Sequence, residues 1–338
     1  MTTAESRARF RQMMTDMDVA ALAARIDSAH ARLRGHVRET PCDASLPLGE
    51  AWGCTVLLKG EHLQHTGSFK VRGALHALLV LDEATRARGV VAASSGNHGA
   101  GVAWAARRLG VRATVYVPAH ASPAKVAMIR RYGAEVRHAG VDGVDTEAHA
   151  RAVAEAAGQA YVSPYNDAAV IAGQGTIGAE WVAQTEALDA VIVAVGGGGL
   201  IAGVAAAMKR AWPALHVVGA LPAHSPVMAE SVAAGHIVER ESLPTLSDAT
   251  AGGIEPGAIT FPLCRALVDR WVLVDEPAIA AAMRAFLDDH HQLVEGSAGV
   301  ALAALRTVAP AFPGGRVGVL LCGANIATAQ LREVLQGA

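Results

Sequence analysis

An unbroken apolar run, Val191-Ile192-Val193-Ala194-Val195, leads straight into Gly196-Gly197-Gly198-Gly199 and then Leu200. Consecutive apolar residues without polar alternation predict a strand covered on both faces, as in a parallel sheet. A parallel strand needs a crossover, usually a helix, so this run commits the chain to an α/β architecture. Four glycines exceed what a tight strand-to-helix turn requires. Without Cβ atoms the backbone can wrap closely round an anion, and amides at the start of the next helix point toward it. The segment reads as a phosphate cradle.

The rest of the chain repeats the alternation. Helical apolar spacing over 18–34 places Val19, Leu22, Ile26, Ala29 and Leu33 on one side. Strands are predicted at Thr55–Lys59, Gly89–Ala93, Arg112–Val117, Ala134–Arg137, Ala190–Val195, Leu215–Ala220, Trp271–Val274 and Arg316–Leu321. Helices are predicted from Lys70, over Asn97–Leu109, Pro123–Arg131, Asp145–Ala157, around Gly175–Ala187, Leu200–Arg210, near 262–269, 276–290 and 298–307, and from about Ala327. This pattern argues largely parallel sheets flanked by helices. Gly173-Gln174-Gly175-Thr176-Ile177-Gly178 fits a dinucleotide fingerprint letter by letter, but no strand precedes it and no acidic residue ends a second strand beyond it. It reads as close packing at a helix start.

Composition sets the limits. With 52% apolar and 18% charged residues in 338, a large core is expected, and 4% aromatics leave it to Ala, Val, Leu and Ile. A net charge of −2 and no basic run exclude a nucleic-acid or anionic-membrane surface. No apolar stretch is long enough for a membrane span, and Met1–Met17 lacks a signal peptide's apolar core. Cys42, Cys54, Cys264 and Cys322 are scattered without metal-ligand spacing, so they read as reduced thiols of a cytoplasmic protein and no metal site is expected.

Three further clusters carry chemistry. In His65-Thr66-Gly67-Ser68-Phe69-Lys70, Thr66 or Ser68 is the expected N-cap, putting Lys70 in the first turn of a helix. A dry pocket and a positive helix end both lower an amine's pKa, so Lys70 is a candidate Schiff-base nucleophile. Ser94-Ser95-Gly96-Asn97-His98-Gly99 gathers polar groups at a helix start and suits a small carboxylate. Cys322 follows the last strand, where open α/β sheets bind ligands. An amine, a phosphate cradle, a carboxylate site and a weak hydrogen-bonding thiol together fit pyridoxal 5′-phosphate (PLP).

Ser68-Phe69-Lys70-Val71-Arg72-Gly73-Ala74, Ser94–Gly99, Gly196–Gly199 and Cys322-Gly323-Ala324-Asn325 occur in the order and spacing of the fold type II PLP enzymes. Over roughly residues 25–335 the chain resembles their threonine/serine dehydratase and serine racemase subgroup. The resemblance implies a two-domain, tryptophan synthase β-like α/β fold, with 1–88 and 167–338 as the large PLP-binding domain and 89–166 as the small one. It also implies a homodimer acting on an amino acid. Lys70 would be the Schiff-base lysine, Phe69 would pack by the ring, and Asn97 would bond the ring hydroxyl. Gly196, Gly197, Gly198, Gly199 and Leu200 would hold the phosphate, and Cys322 would face the pyridine nitrogen. Ser94, Ser95, Asn97 and His98 fall where substrate binds.

The implied reaction is dehydration of a β-hydroxy amino acid such as L-threonine or L-serine. Lys70 takes the α-proton, the β-hydroxyl leaves, and hydrolysis gives a 2-oxo acid and ammonia. A neutral thiol cannot keep the ring nitrogen protonated as a carboxylate would, which favours β-elimination over transamination. Ser95 matches the position from which racemases protonate the opposite face, so racemisation is the alternative; a silent binding module is the third class. The chain departs from the subgroup at Gly219-Ala220-Leu221-Pro222, where relatives place a glutamate beside a cation, and in the glycine-rich Ser247–Gly257 segment. That segment is expected to border the site. It would suit another β-hydroxy amino acid: an aryl serine such as phenylserine, hydroxyaspartate, or a hydroxyectoine-derived one.

Overall fold

Residues 19–33 form the first helix, α1, and bury Leu22, Ile26, Ala29 and Leu33 along the expected side. The computed structural model describes residues 19–141 and 143–337. In chain order there follow β1 (Cys42–Ser45), α2 (Leu46–Trp52), β2 (Thr55–Lys59), α3 (Lys70–Leu79), α4 (Glu83–Arg88), β3 (Val90–Ala93), α5 (Asn97–Leu109), β4 (Ala113–Val117), α6 (Pro123–Arg131), β5 (Glu135–His138), α7 (Gly143–Ala156) and β6 (Ala160–Tyr161). Then come α8 (Ala168–Gln184), β7 (Ala190–Ala194), α9 (Gly199–Ala211), β8 (His216–Pro222), α10 (Val227–Ala234), α11 (Thr260–Leu267), β9 (Arg270–Val274), α12 (Glu276–His290), α13 (Gly296–Val308), β10 (Arg316–Leu320) and α14 (Thr328–Gln336).

The strands form two sheets. One has six strands in the order β1-β2-β10-β7-β8-β9; the other has four, β5-β4-β3-β6. Every pairing is parallel except β1 with β2. β7 is buried at all positions, as its uninterrupted apolar sequence requires. β1 reads Cys-Asp-Ala-Ser and faces the core only at Ser45, so it carries no apolar pattern by which the sequence would announce it.

Gly173 and Gly175 lie within α8, not at a helix start. Asp167 caps that helix by accepting from the Ala169 and Val170 amides, at 2.6 and 3.1 Å. Close packing explains these glycines. A Cβ on Gly173 would sit 2.6 Å from Gly73 Cα, and one on Gly175 would sit 2.9 Å from the Gly203 carbonyl. Thus α3, α8 and α9 pack backbone against backbone, and the fingerprint spacing reflects helix contact.

Below the start of α3 lies a buried, charge-balanced quartet. Arg72 grips Glu61 through Nε (2.9 Å) and Nη2 (2.7 Å), and its Nη1 meets Glu180 at 2.9 Å. Lys59 Nζ reaches Glu180 at 2.5 Å. Burial opposes charge on Glu180, but Arg72 and Lys59 outweigh it and hold the carboxyl below its ordinary range. Two cations offset two carboxylates, the condition under which buried charge is tolerated.

Candidate active site

Loops leaving the C-terminal ends of β2, β3, β7 and β10 open onto one cavity of about 1170 Å³. This is where open parallel sheets bind ligands. The loop before α3 is zipped to the loop after β10. Ser68 bridges Gly323, the Phe69 amide donates to the Cys322 carbonyl (3.1 Å), and the Ala324 amide donates to the Gly67 carbonyl (2.9 Å). Lys70 and Cys322 therefore enter the cavity from joined backbones.

The expected side-chain N-cap is absent. Phe69 occupies the cap with helical φ and ψ, and the Thr66 and Ser68 hydroxyls are buried without partners. The chain is already turning at Phe69, so neither hydroxyl meets the amides a cap would satisfy. Gly67, at φ +73°, supplies the left-handed turn that makes this entry.

Lys70 is half-buried, and its Nζ donates to the Pro164 carbonyl at 2.9 Å and lies 5.0 Å from the Phe69 ring centre. Burial pulls its pKa down to about 8, against the opposing pull of Cys322, Glu147 and Glu295. Burial, with Glu295 nearby, pushes the Cys322 thiol well above its ordinary range, so it stays neutral.

The glycine loop has no room for side chains. A Cβ on Gly196 would stand 2.9 Å from the Thr250 carbonyl, and one on Gly197 would stand 2.4 Å from the Tyr165 ring. Gly198 adopts φ +86°. The first backbone bond of α9 runs from the Ala202 amide to Gly198 (3.0 Å), so the preceding amides open out of the helix N-terminus. An amine of lowered pKa, a glycine cradle and a neutral thiol in one cavity suit PLP: aldehyde, phosphate and ring nitrogen each find matching chemistry.

Ser94 accepts the Gly96 amide at 3.1 Å, and Ser95 lines the same cavity. Asn97 lies deeper. Its Nδ2 donates to both Glu295 oxygens (2.9 and 3.0 Å), and its Oδ1 accepts from Asn325 Nδ2 (2.7 Å). His98 Nε2 bonds the Val162 carbonyl at 2.8 Å, and Nδ1 is buried without a partner. Burial and then Lys70 drive the His98 pKa down to about 3, so it brings neither charge nor a free N–H to a carboxylate.

Two acids in the site escaped the sequence reading. Glu295 also accepts the Asn325 amide at 3.0 Å, and burial pushes its carboxyl up to about 7. Glu147, on α7, is likewise pushed up to about 7, by burial and then by Glu255. The available signal was Glu295 preceding the small-residue start of α13; Glu147 shares α7 with Asp145, Arg151 and Glu155, so nothing in the sequence set it apart. The segment 237–242 and 248–256 closes one side of the cavity. It is fastened by Lys125–Asp248 at 2.6 Å and Arg151–Glu255 at 2.8 Å. Leu221, where the resemblance places a glutamate, is buried in β8. Among the described residues no cluster of three or more His, Cys, Asp or Glu is arranged to hold a metal. No helix among them is long and apolar enough to cross a membrane.

A family model described as pyridoxal-phosphate dependent enzyme matches residues 33–323. L-threonine ammonia-lyase of Geobacter sulfurreducens is 40% identical over 311 residues, covering 92% of this chain and 77% of that protein. Phenylserine dehydratase of Ralstonia pickettii is 40% identical over 317 residues, covering 92% and 96%. The structure of the processed form of threonine deaminase isoform 2 from Solanum lycopersicum aligns with a TM-score of 0.90 at 31% identity, covering 95% of this chain and 93% of that one.

Proposed function

The chain belongs to the pyridoxal-phosphate dependent enzyme family, and from that premise we propose how its residues divide the work. It is a dehydratase-type lyase that converts a β-hydroxy amino acid such as L-threonine or L-serine to a 2-oxo acid and ammonia. The observation that carries the assignment of roles is Lys70: an amine with a pKa of about 8, in one cavity with the glycine cradle and a neutral thiol.

Bound there, PLP supplies an electrophilic carbon for the substrate amine and a ring that takes up the electron pair left by the α-proton. Lys70 Nζ would hold the cofactor and, once released as a free amine, would accept the α-proton. A base with a pKa near the working pH is best matched to that task. The amides of Gly196–Gly199 and Leu200 would hold the phosphate, Phe69 would pack by the ring, and Asn97 would bond its hydroxyl. Cys322, a neutral thiol, would face the ring nitrogen. Ser94, Ser95 and the amides opening α5 orient the substrate carboxylate; His98 supports that helix start from behind. Residues 89–166 act as a small domain against the flanking large one, and the protein works as a homodimer in the cytoplasm. Its free cysteines suit a reducing compartment.

Ser95 lines the cavity and stands as the proton donor for the isomerase alternative. Incubating the PLP-loaded protein with L-threonine and L-serine decides between them. The lyase reading expects 2-oxo acid to form faster than the epimer of the remaining amino acid. An epimer appearing first would make the protein an isomerase, and release of neither product would refute the reading.

A further inference from the structure

The cavity carries an electrostatic bias that the reaction itself does not need. Its described lining holds six carboxylate side chains against three cationic ones. Of the cations, Lys70 is the amine already assigned, Lys125 binds Asp248 at 2.6 Å, and Arg240 binds Glu230. Arg151, one helical turn from Glu147, is also engaged: it pairs with Glu255 at 2.8 Å and lies over the Tyr161 ring at 4.4 Å. Lys125 and Arg151, the latter just behind the lining, thereby neutralise Asp248 and Glu255, which leaves Glu147, Glu239, Glu241 and Glu295 of the lining without an ion pair among the described residues. Burial and Glu255 push the Glu147 carboxyl up to about 7, so this wall opposes even the negative charge it carries.

We infer that the enzyme selects β-hydroxy amino acids whose side chain beyond the β-carbon bears no negative charge, and that Glu147 is the residue that rejects a second carboxylate. The inference rests on the lyase reading and narrows its substrate class. Like charges juxtaposed in a desolvated site repel strongly enough to exclude wrong ligands. Bulk does not discriminate in the same way. At about 1170 Å³ the cavity exceeds the roughly 300–1,000 Å³ usual for small-molecule sites, which leaves space for an aryl group beside the cofactor. L-threonine and an aryl serine are accepted; hydroxyaspartate is not.

The test compares kcat/KM of the holoenzyme for L-threonine, phenylserine and L-threo-3-hydroxyaspartate at about pH 8, above the Glu147 value of about 7. Hydroxyaspartate should fall about tenfold below L-threonine, the most that Glu147 can impose one pH unit above its value of about 7 before it takes up a proton instead. Glu147→Gln should raise the hydroxyaspartate-to-threonine ratio about tenfold, whereas Glu147→Asp, which keeps the charge, should leave the ratio low. Equal turnover of hydroxyaspartate and threonine by the wild type, or a ratio that Glu147→Gln does not move, would overturn the inference. Binding of L-alanine and L-aspartate, read from the cofactor's visible absorbance, separates it from the lyase reading. If no β-hydroxy amino acid is turned over, the lyase reading falls. L-Aspartate binding that is weaker than L-alanine binding and relieved in Glu147→Gln would still support charge selection; equal binding would overturn it.

Discussion

A lysine that must capture an aldehyde and later accept a proton has to shed its own proton near neutral pH. Burial does this for Lys70, drawing it from the ordinary 10.5 to about 8. The sign is definite: the reactive neutral amine becomes the major form as pH rises through about 8. The rate at which apoprotein takes up PLP should therefore climb through about pH 8 and level off below the usual lysine range. A rate still climbing near 10.5 would show that burial does not tune the amine. At this scale the sequence singled out Lys70, Asn97 and Cys322, which the structure brings to one cavity, because each stands in a short motif at a predicted element boundary. Glu147 and Glu295 were not legible. A glutamate in a helix or at its start is ordinarily solvated, and only tertiary packing buries Glu295 and half-buries Glu147.

Among elements, α3 matters most, since it begins on Lys70 and is anchored two residues later by Arg72. Removing one partner of a buried ion pair strands the others and costs about 3–5 kcal/mol. Arg72→Ala should lower unfolding free energy by about that amount, measured by denaturant titration, because Glu61 and Glu180 would keep only Lys59 between them. A loss below about 1 kcal/mol would mean that the quartet does not hold the start of α3. The sequence placed most helices and central strands within a few residues, because apolar runs and helical spacing survive in any fold of this class. It set α8 too late, since Gly173 and Gly175 read as close packing at a helix start, whereas Gly73 and Gly203 press against them inside the helix. It missed β1, α2, α4, β6 and α10, which are short and lean on neighbours more than on their own pattern.

For the whole molecule, the α/β class followed from alternation, but the separation into two sheets did not. Val90–Ala93 and Ala190–Ala194 are equally apolar and fully buried, so nothing local says that they belong to different layers. The expectation that the glycine-rich 247–257 segment borders the site holds for 248–256, whereas 237–242 carried no such signal; the wall's place depends on Lys125 and Arg151 reaching Asp248 and Glu255 from another layer. The central claim is that Lys70 both carries the cofactor and moves the α-proton at the meeting point of these layers. Lys70→Ala measures it most directly, with circular dichroism to verify the fold, visible absorbance to follow the lysine-bound cofactor, and 2-oxo acid release from L-threonine to follow turnover. The expected outcome is an intact fold, no lysine-bound absorbance band, and turnover lowered by at least about 10²-fold, the lower end of what a positioned general base contributes. Wild-type turnover in a folded Lys70→Ala protein would contradict it.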